Sequence, residues 1–114
     1  MNDVAEIALF TDDVAAVAGF YRSLVGAAPV AEWPGGALFT AGDAKILVHE
    51  RAAAMEGGPP NEDHFALTVD DLDTTCDTLR SEGCELVVEP RDYEWGRSAY
   101  LRDPDGRLVE LAQA

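Results

Sequence analysis

Glu110 sits in "RLVELAQ" (residues 107–113), between Val109 and Leu111, in a run that reads as a largely buried strand. An unpaired carboxylate there is costly, so a partner or a task is expected for it. Two other strand-like runs resemble it: "EIALFT" carries Glu6 and "HFALTV" carries His64. Successive strand residues point to opposite faces. One face then takes Ile7 and Leu9, Phe65, Leu67 and Val69, and Val109 and Leu111. The other takes Glu6, Ala8 and Phe10, then His64, Ala66 and Thr68, then Leu108, Glu110 and Ala112. The uniformly apolar sets belong under helices. The remaining sets are expected to share a second surface, where an imidazole and two carboxylates can exchange protons.

The elements that position these residues occur twice. "EIALFTDDV" (6–14) and "HFALTVDDL" (64–72) align at an offset of 58, with six of nine columns identical or similar. Each copy opens a helical pattern, Val14, Val17, Ala18, Tyr21 in one and Leu72, Thr75, Cys76, Leu79 in the other. Asp12/Asp13 and Asp70/Asp71 are natural N-caps, and Gly26 and Gly83 suit the helix ends. Strand-like runs follow: "APVAEW", "GALFTA" and "AKILVHE" after the first helix, "ELVVEP", "SAYLRD" and "RLVELAQ" after the second. Asp103-Pro104-Asp105-Gly106 has the residue preferences of a type I turn. The pattern is βαβββ twice, an α+β fold. Residues 1–114 are expected to form one domain, with module 1 at about 1–50, a Gly/Pro-rich linker at 51–61 and module 2 at about 62–114. Neither module would be stable alone, so their sheets must pair.

Eight basic against 22 acidic residues give a net charge of −14 over 114 residues. That balance repels nucleic acid and anionic membrane surfaces, and no apolar run approaches a membrane span. Cys76 and Cys84 lack metal or redox spacing and are expected to be reduced, which fits a cytoplasmic protein.

With these features the chain resembles the vicinal oxygen chelate superfamily of glyoxalases, bleomycin-resistance proteins and extradiol dioxygenases. The likeness rests on "EIALFTDDVAAVAGFYRSLVGAAPV", "DHFALTVDDLDTTCDTLRSEG" and "EWGRSAYLRDPDGRLVEL". It implies a curved mixed sheet of two βαβββ modules around a central cavity. It also implies metal ligands on the first, fifth and last strands, which map to Glu6, His64 and Glu110. The Glu6 position more often holds His or Gln in the family. A fourth position falls near Leu47, which cannot coordinate, and His49 on the same face is the possible substitute.

One imidazole and two carboxylates suit Zn, Ni, Co, Mn or Fe as the divalent ion, and no organic cofactor is expected. The function implied is a glyoxalase-like, metal-dependent lyase or isomerase acting on a small oxygenated metabolite or thiol adduct. In it Glu110 would move a proton next to a carbonyl as general base. The alternative is a metal-free small-molecule (drug) binding protein of the bleomycin-resistance type. In that case Phe10, Trp33, Phe39, Trp95 and Tyr100 would line an apolar pocket, and Arg97 would pair with a ligand carboxylate. The resemblance also implies a homodimer.

Overall fold

The computed structural model describes residues 2–51 and 58–114. The chain runs β1 (Asp3–Thr11), α1 (Val14–Val25), β2 (Ala31–Trp33), β3 (Gly36–Ala41) and β4 (Ala44–Glu50). It then repeats the series as β5 (His64–Val69), α2 (Leu72–Ser81), β6 (Leu86–Tyr93), β7 (Gly96–Arg102) and β8 (Leu108–Gln113). This is the expected duplicated α+β architecture. Part of the expected linker, 52–57, lies outside the described residues. One eight-stranded mixed sheet has the order β2-β3-β4-β1-β5-β8-β7-β6, so the two modules meet at the β1–β5 edge.

That edge explains the repeat. β1 and β5 are antiparallel, and Ile7 pairs with Phe65, its own counterpart at the offset of 58. A pseudo-twofold axis therefore passes through this pair. It exchanges the flanking pairs Glu6–Ala66 and Ala8–His64, leaving Glu6 and His64 diagonal to one another on one face. On the outer strands the same axis relates Leu47, beside Ala8, to Glu110, beside Ala66.

Each helix covers its own half of the convex side. The Asp13 side chain accepts from Ala16 N at 3.0 Å, and that of Asp71 from Thr74 N at 3.1 Å, so the second acid of each pair is the cap. Gly26 closes α1 at φ +79°, a left-handed position that costs a glycine little. Val14, Val17, Ala18, Tyr21 and Val25 pack on Ala37, Phe39 and Val48, while Leu72 and Cys76 of α2 enter a cluster with Val69, Ala99, Leu101 and Leu111. Full burial of a side chain such as Leu72 contributes about 1.5–3 kcal/mol. Gln113 ties α2 to β8: its Oε1 accepts from Leu72 N at 2.9 Å, and its Nε2 donates to the Asp70 carbonyl at 2.6 Å.

The strand parity corrects two expected pocket residues. Phe39 lies on the helix side of β3, 1% exposed in the core beneath α1. Its neighbour Leu38 is the residue that reaches the concave side. Arg97 alternates with Ser98 and Tyr100 and falls on the helix side of β7. There its guanidinium forks onto Asp73 of α2, at 2.9 and 3.1 Å, and donates to Asp92 at 3.2 Å. Strand lengths differ too. β2 is shorter than "APVAEW", and β6 runs past Pro90 to Tyr93, with a register irregularity between Val88 and Arg91 that accommodates a residue without an N–H. No helix among the described residues is long and apolar enough to cross a membrane.

Candidate functional site

The concave side of the sheet holds a cavity of about 570 Å³. Register places one row of side chains across its floor: Lys45 on β4, Glu6 on β1, Ala66 on β5, Glu110 on β8 and Tyr100 on β7. The next row carries Leu47, Ala8 and His64, and the one beyond it His49 and Phe10. All three residues singled out from strand alternation, Glu6, His64 and Glu110, therefore line one cavity. His49 lines it as well, with its Nδ1 against the Glu50 carbonyl at 2.7 Å and its ring 5.4 Å from that of Phe10.

Glu110 is 7% exposed and fully partnered. Ser98 Oγ donates to its Oε2 at 2.8 Å, and His64 Nε2 lies 3.1 Å from its Oε1. The His64 Nδ1 faces the Glu62 carbonyl at 2.8 Å. A carbonyl only accepts, so Nδ1 carries a proton and Nε2 is the nitrogen presented to the site. Glu62 is itself held by a two-pronged contact from Arg102, at 2.6 and 3.1 Å, and Arg102 also donates to the Gly106 carbonyl at 3.0 Å. The Asp103–Gly106 turn is thus linked to His64 through two residues, Arg102 and Glu62, whose spacing in sequence gives no hint of it.

The electrostatics of the three groups are coupled. Burial opposes a charged His64, but the hydrogen bonds to Glu110 and the Glu62 carbonyl, with the charges of Glu110 and Glu6, outweigh it and raise the imidazole pKa. Burial, then the Glu110 charge, raise the Glu6 carboxyl, with His64 and Lys45 partly offsetting them. Burial and Glu110 push the Tyr100 phenol well above its ordinary value, so it stays protonated.

The Nδ1-protonated tautomer is the one that leaves Nε2 free for a metal, with a carbonyl fixing the ring from behind. Here Nε2 meets Glu110, and among the described residues no three His, Cys, Asp or Glu side chains converge into a ready-made metal centre. The donor types nevertheless fit a divalent cation: an imidazole of the right tautomer beside two carboxylates whose mutual repulsion such an ion would relieve. Leu47 removes a ligand from the position that pseudo-symmetry pairs with Glu110.

Part of the remaining wall is aromatic. A series of ring contacts runs from His49 through Phe10, His64, Tyr100 and Tyr93 to Trp95, with centroid spacings of 5.4, 6.0, 5.6, 6.4 and 4.5 Å. Tyr93 and Trp95 lie within 3° of parallel. Trp33 lines the cavity from β2, and its ring lies so close to Gly36 that a Cβ there would come within 2.6 Å of it and 2.7 Å of the Val48 carbonyl. Of the expected pocket residues, Phe10, Trp33, Trp95 and Tyr100 reach the cavity. Sequence reasoning passed over Lys45, Leu38 and Ser98. Alternation from Tyr100 would have found Ser98.

Comparison with known proteins agrees with the fold. The model of the glyoxalase/bleomycin resistance protein/dioxygenase superfamily matches residues 3–111. A probable lactoylglutathione lyase of Vibrio cholerae is 40% identical over 52 residues, 44% of this chain and 38% of that protein. The match thus spans well under half of that relative's length. The glutathione transferase FosA of Serratia marcescens is 27% identical over 113 residues, 97% of this chain and 80% of its own. Among solved structures, methylmalonyl-CoA epimerase from Mycobacterium tuberculosis superposes with a TM-score of 0.73 at 23% identity, covering 96% of this chain and 86% of that one. That likeness concerns the fold. The chain belongs to the glyoxalase/bleomycin resistance protein/dioxygenase superfamily.

Proposed function

We propose that the chain is a glyoxalase-type lyase or isomerase that moves a proton next to a carbonyl in a small oxygenated metabolite or thiol adduct. The observation that carries this reading is Glu110, a buried carboxylate held by His64 and Ser98 at the floor of a ligand-sized cavity. Glu110 takes the proton from the carbon beside the carbonyl, the C–H electrons move toward the carbonyl oxygen, and the same carboxyl returns the proton to the rearranged product. Ser98 and His64 hold its two oxygens in place. Glu6, kept protonated to higher pH by burial, is placed to hold or donate a proton on the opposite side of Ala66. Glu6, His64 and Glu110 would hold a divalent ion, which when bound stabilises negative charge on the carbonyl oxygen.

The test is exchange of substrate carbon-bound hydrogen with deuterated solvent, followed by proton NMR. The panel comprises 2-oxoaldehyde–thiol adducts and 2-oxo acids, with each of the five metals. Exchange with at least one compound, reduced about a hundredfold or more in Glu110→Gln, is the expected result. No exchange across the panel, or exchange undiminished in the variant, overturns the reading.

The metal-free binding alternative draws support from the aromatic floor and from both tryptophans of the chain lining the cavity. It predicts tight binding of a planar ligand with no exchange. A homodimer forms part of the proposal under either reading. Ile7 and Phe65, 41% and 37% exposed, leave an apolar strip on the convex side at the module junction, and light scattering should return twice the chain mass.

A further inference from the structure

Lys45 is the chain's single lysine, and it lines the cavity in the same cross-strand row as Glu6 and Glu110. Its surroundings differ from those of five of the seven arginines. Arg51, Arg80, Arg97, Arg102 and Arg107 are each held by one or two carboxylates, as a chain with 22 acids would dictate. Lys45 has no carboxylate within 4.0 Å among the described residues, although Glu6 is its direct neighbour on the adjacent strand. Lys45 acts on the Glu6 carboxyl through its charge but makes no close ion pair with it, so at the wall of a largely apolar cavity its ammonium is available to a ligand.

We propose that Lys45 is the anchor for an anionic group, and that the ligand is a small organic acid whose carboxylate or phosphate sits at Lys45 while its oxygenated centre lies over Glu6 and Glu110. This rests on the reading of the cavity as the ligand site and adds the substrate class to it. Lys45 and Glu110 stand three strands apart in one row, about 14 Å along the sheet. Both side chains line the one cavity, and Glu6 is the direct cross-strand neighbour of Lys45. A carbonyl over Glu6 would thus lie a few bonds from the ligand's charge. Trp33 and Trp95 add flat apolar surface to the cavity wall. Lys45 also decides against the other sign: without it, the Glu110 carboxylate would disfavour an acid.

The test uses 3-benzoylpropionate and its neutral amide, titrated into the full chain by calorimetry, with quenching of Trp33 and Trp95 as a second readout. The acid is expected to bind about fivefold or more tightly than the amide to the wild type. In Lys45→Met the order should invert, with amide affinity retained, while Lys45→Arg should keep the preference for the acid. Equal binding of acid and amide by the wild type overturns the Lys45 proposal and leaves the cavity reading standing. Binding of neither probe overturns both. An acid preference that survives in Lys45→Met assigns the anion site elsewhere and also overturns it.

Discussion

Replacing Glu110 by Gln keeps the side-chain shape and removes its charge, and the two hydrogen bonds it makes respond differently. The Ser98 hydroxyl, 2.8 Å from Oε2, can donate to the carbonyl oxygen of Gln as well. The His64 contact, 3.1 Å at Oε1, then meets an amide NH₂. A protonated Nε2 faces that group donor against donor, whereas a neutral Nε2 accepts from it. The loss therefore depends on pH. His64 has a raised pKa in the native site, so its contribution is complete below the unfolded value of about 6.5 and fades as pH rises through the folded value.

A hydrogen bond to a charged partner contributes about 1.5–3 kcal/mol. Glu110→Gln should then cost about 2 kcal/mol at pH ~5.5 and roughly 0.5 kcal/mol at pH ~8.5. Urea unfolding followed by tryptophan fluorescence at the two pH values measures this. The His64 Cε1 proton, followed by NMR, should titrate above about pH 6.5 in the wild type and below it in the variant. An equal loss of stability at both pH values, or an unmoved His64 titration, would refute the coupling between the two residues.

Glu6→Gln should act in the opposite sense. Burial raises the Glu6 pKa, so ionising it costs stability as pH rises through that value. The variant should gain up to about 1 kcal/mol at pH ~8 and nothing at pH ~4, by the same urea assay. Leu72→Ala, at a residue with 0% exposure in the α2 cluster, should lose about 2–5 kcal/mol. Arg97→Met should cost under about 1 kcal/mol, because its pairs with Asp73 and Asp92 are at the surface. Its ligand affinity by calorimetry should match the wild type, since Arg97 lies on the helix side of the sheet.

How far the site could be read from sequence follows from what strand alternation encodes. Period-two patterning placed Glu6, His64 and Glu110 on one face, and the 58-residue repeat implied that the fold would bring their strands together. Ile7 and Phe65, paired on the pseudo-twofold axis, are where that inference is realised. Parity went unread in β3 and β7, so Phe39 and Arg97 were drawn into the pocket by residue type alone. Phe39 is apolar enough for either face, and only the packing of Val14, Val17, Ala18, Tyr21 and Val25 on its cluster shows that α1 covers it. Arg97 needed knowledge of Asp73, 24 residues away on another element. The Glu62–Arg102 clamp and the Gln113 cap are likewise tertiary contacts between distant segments, with no local periodicity to reveal them. Lys45 was passed over because an exposed lysine at a strand start looks like a solvated surface group. Only the strand register shows that it lines the cavity beside Glu6.

The most direct test of the proposed centre is calorimetric titration of metal-stripped protein with Ni²⁺ and Zn²⁺, for the wild type and His64→Ala. A chain of net charge −14 will attract cations loosely over its surface, so the comparison between the two proteins carries the result. If Glu6, His64 and Glu110 form the centre, the wild type shows one saturable site per chain, weakened about tenfold or more in the variant. No saturable site, or the same affinity without His64, would contradict it.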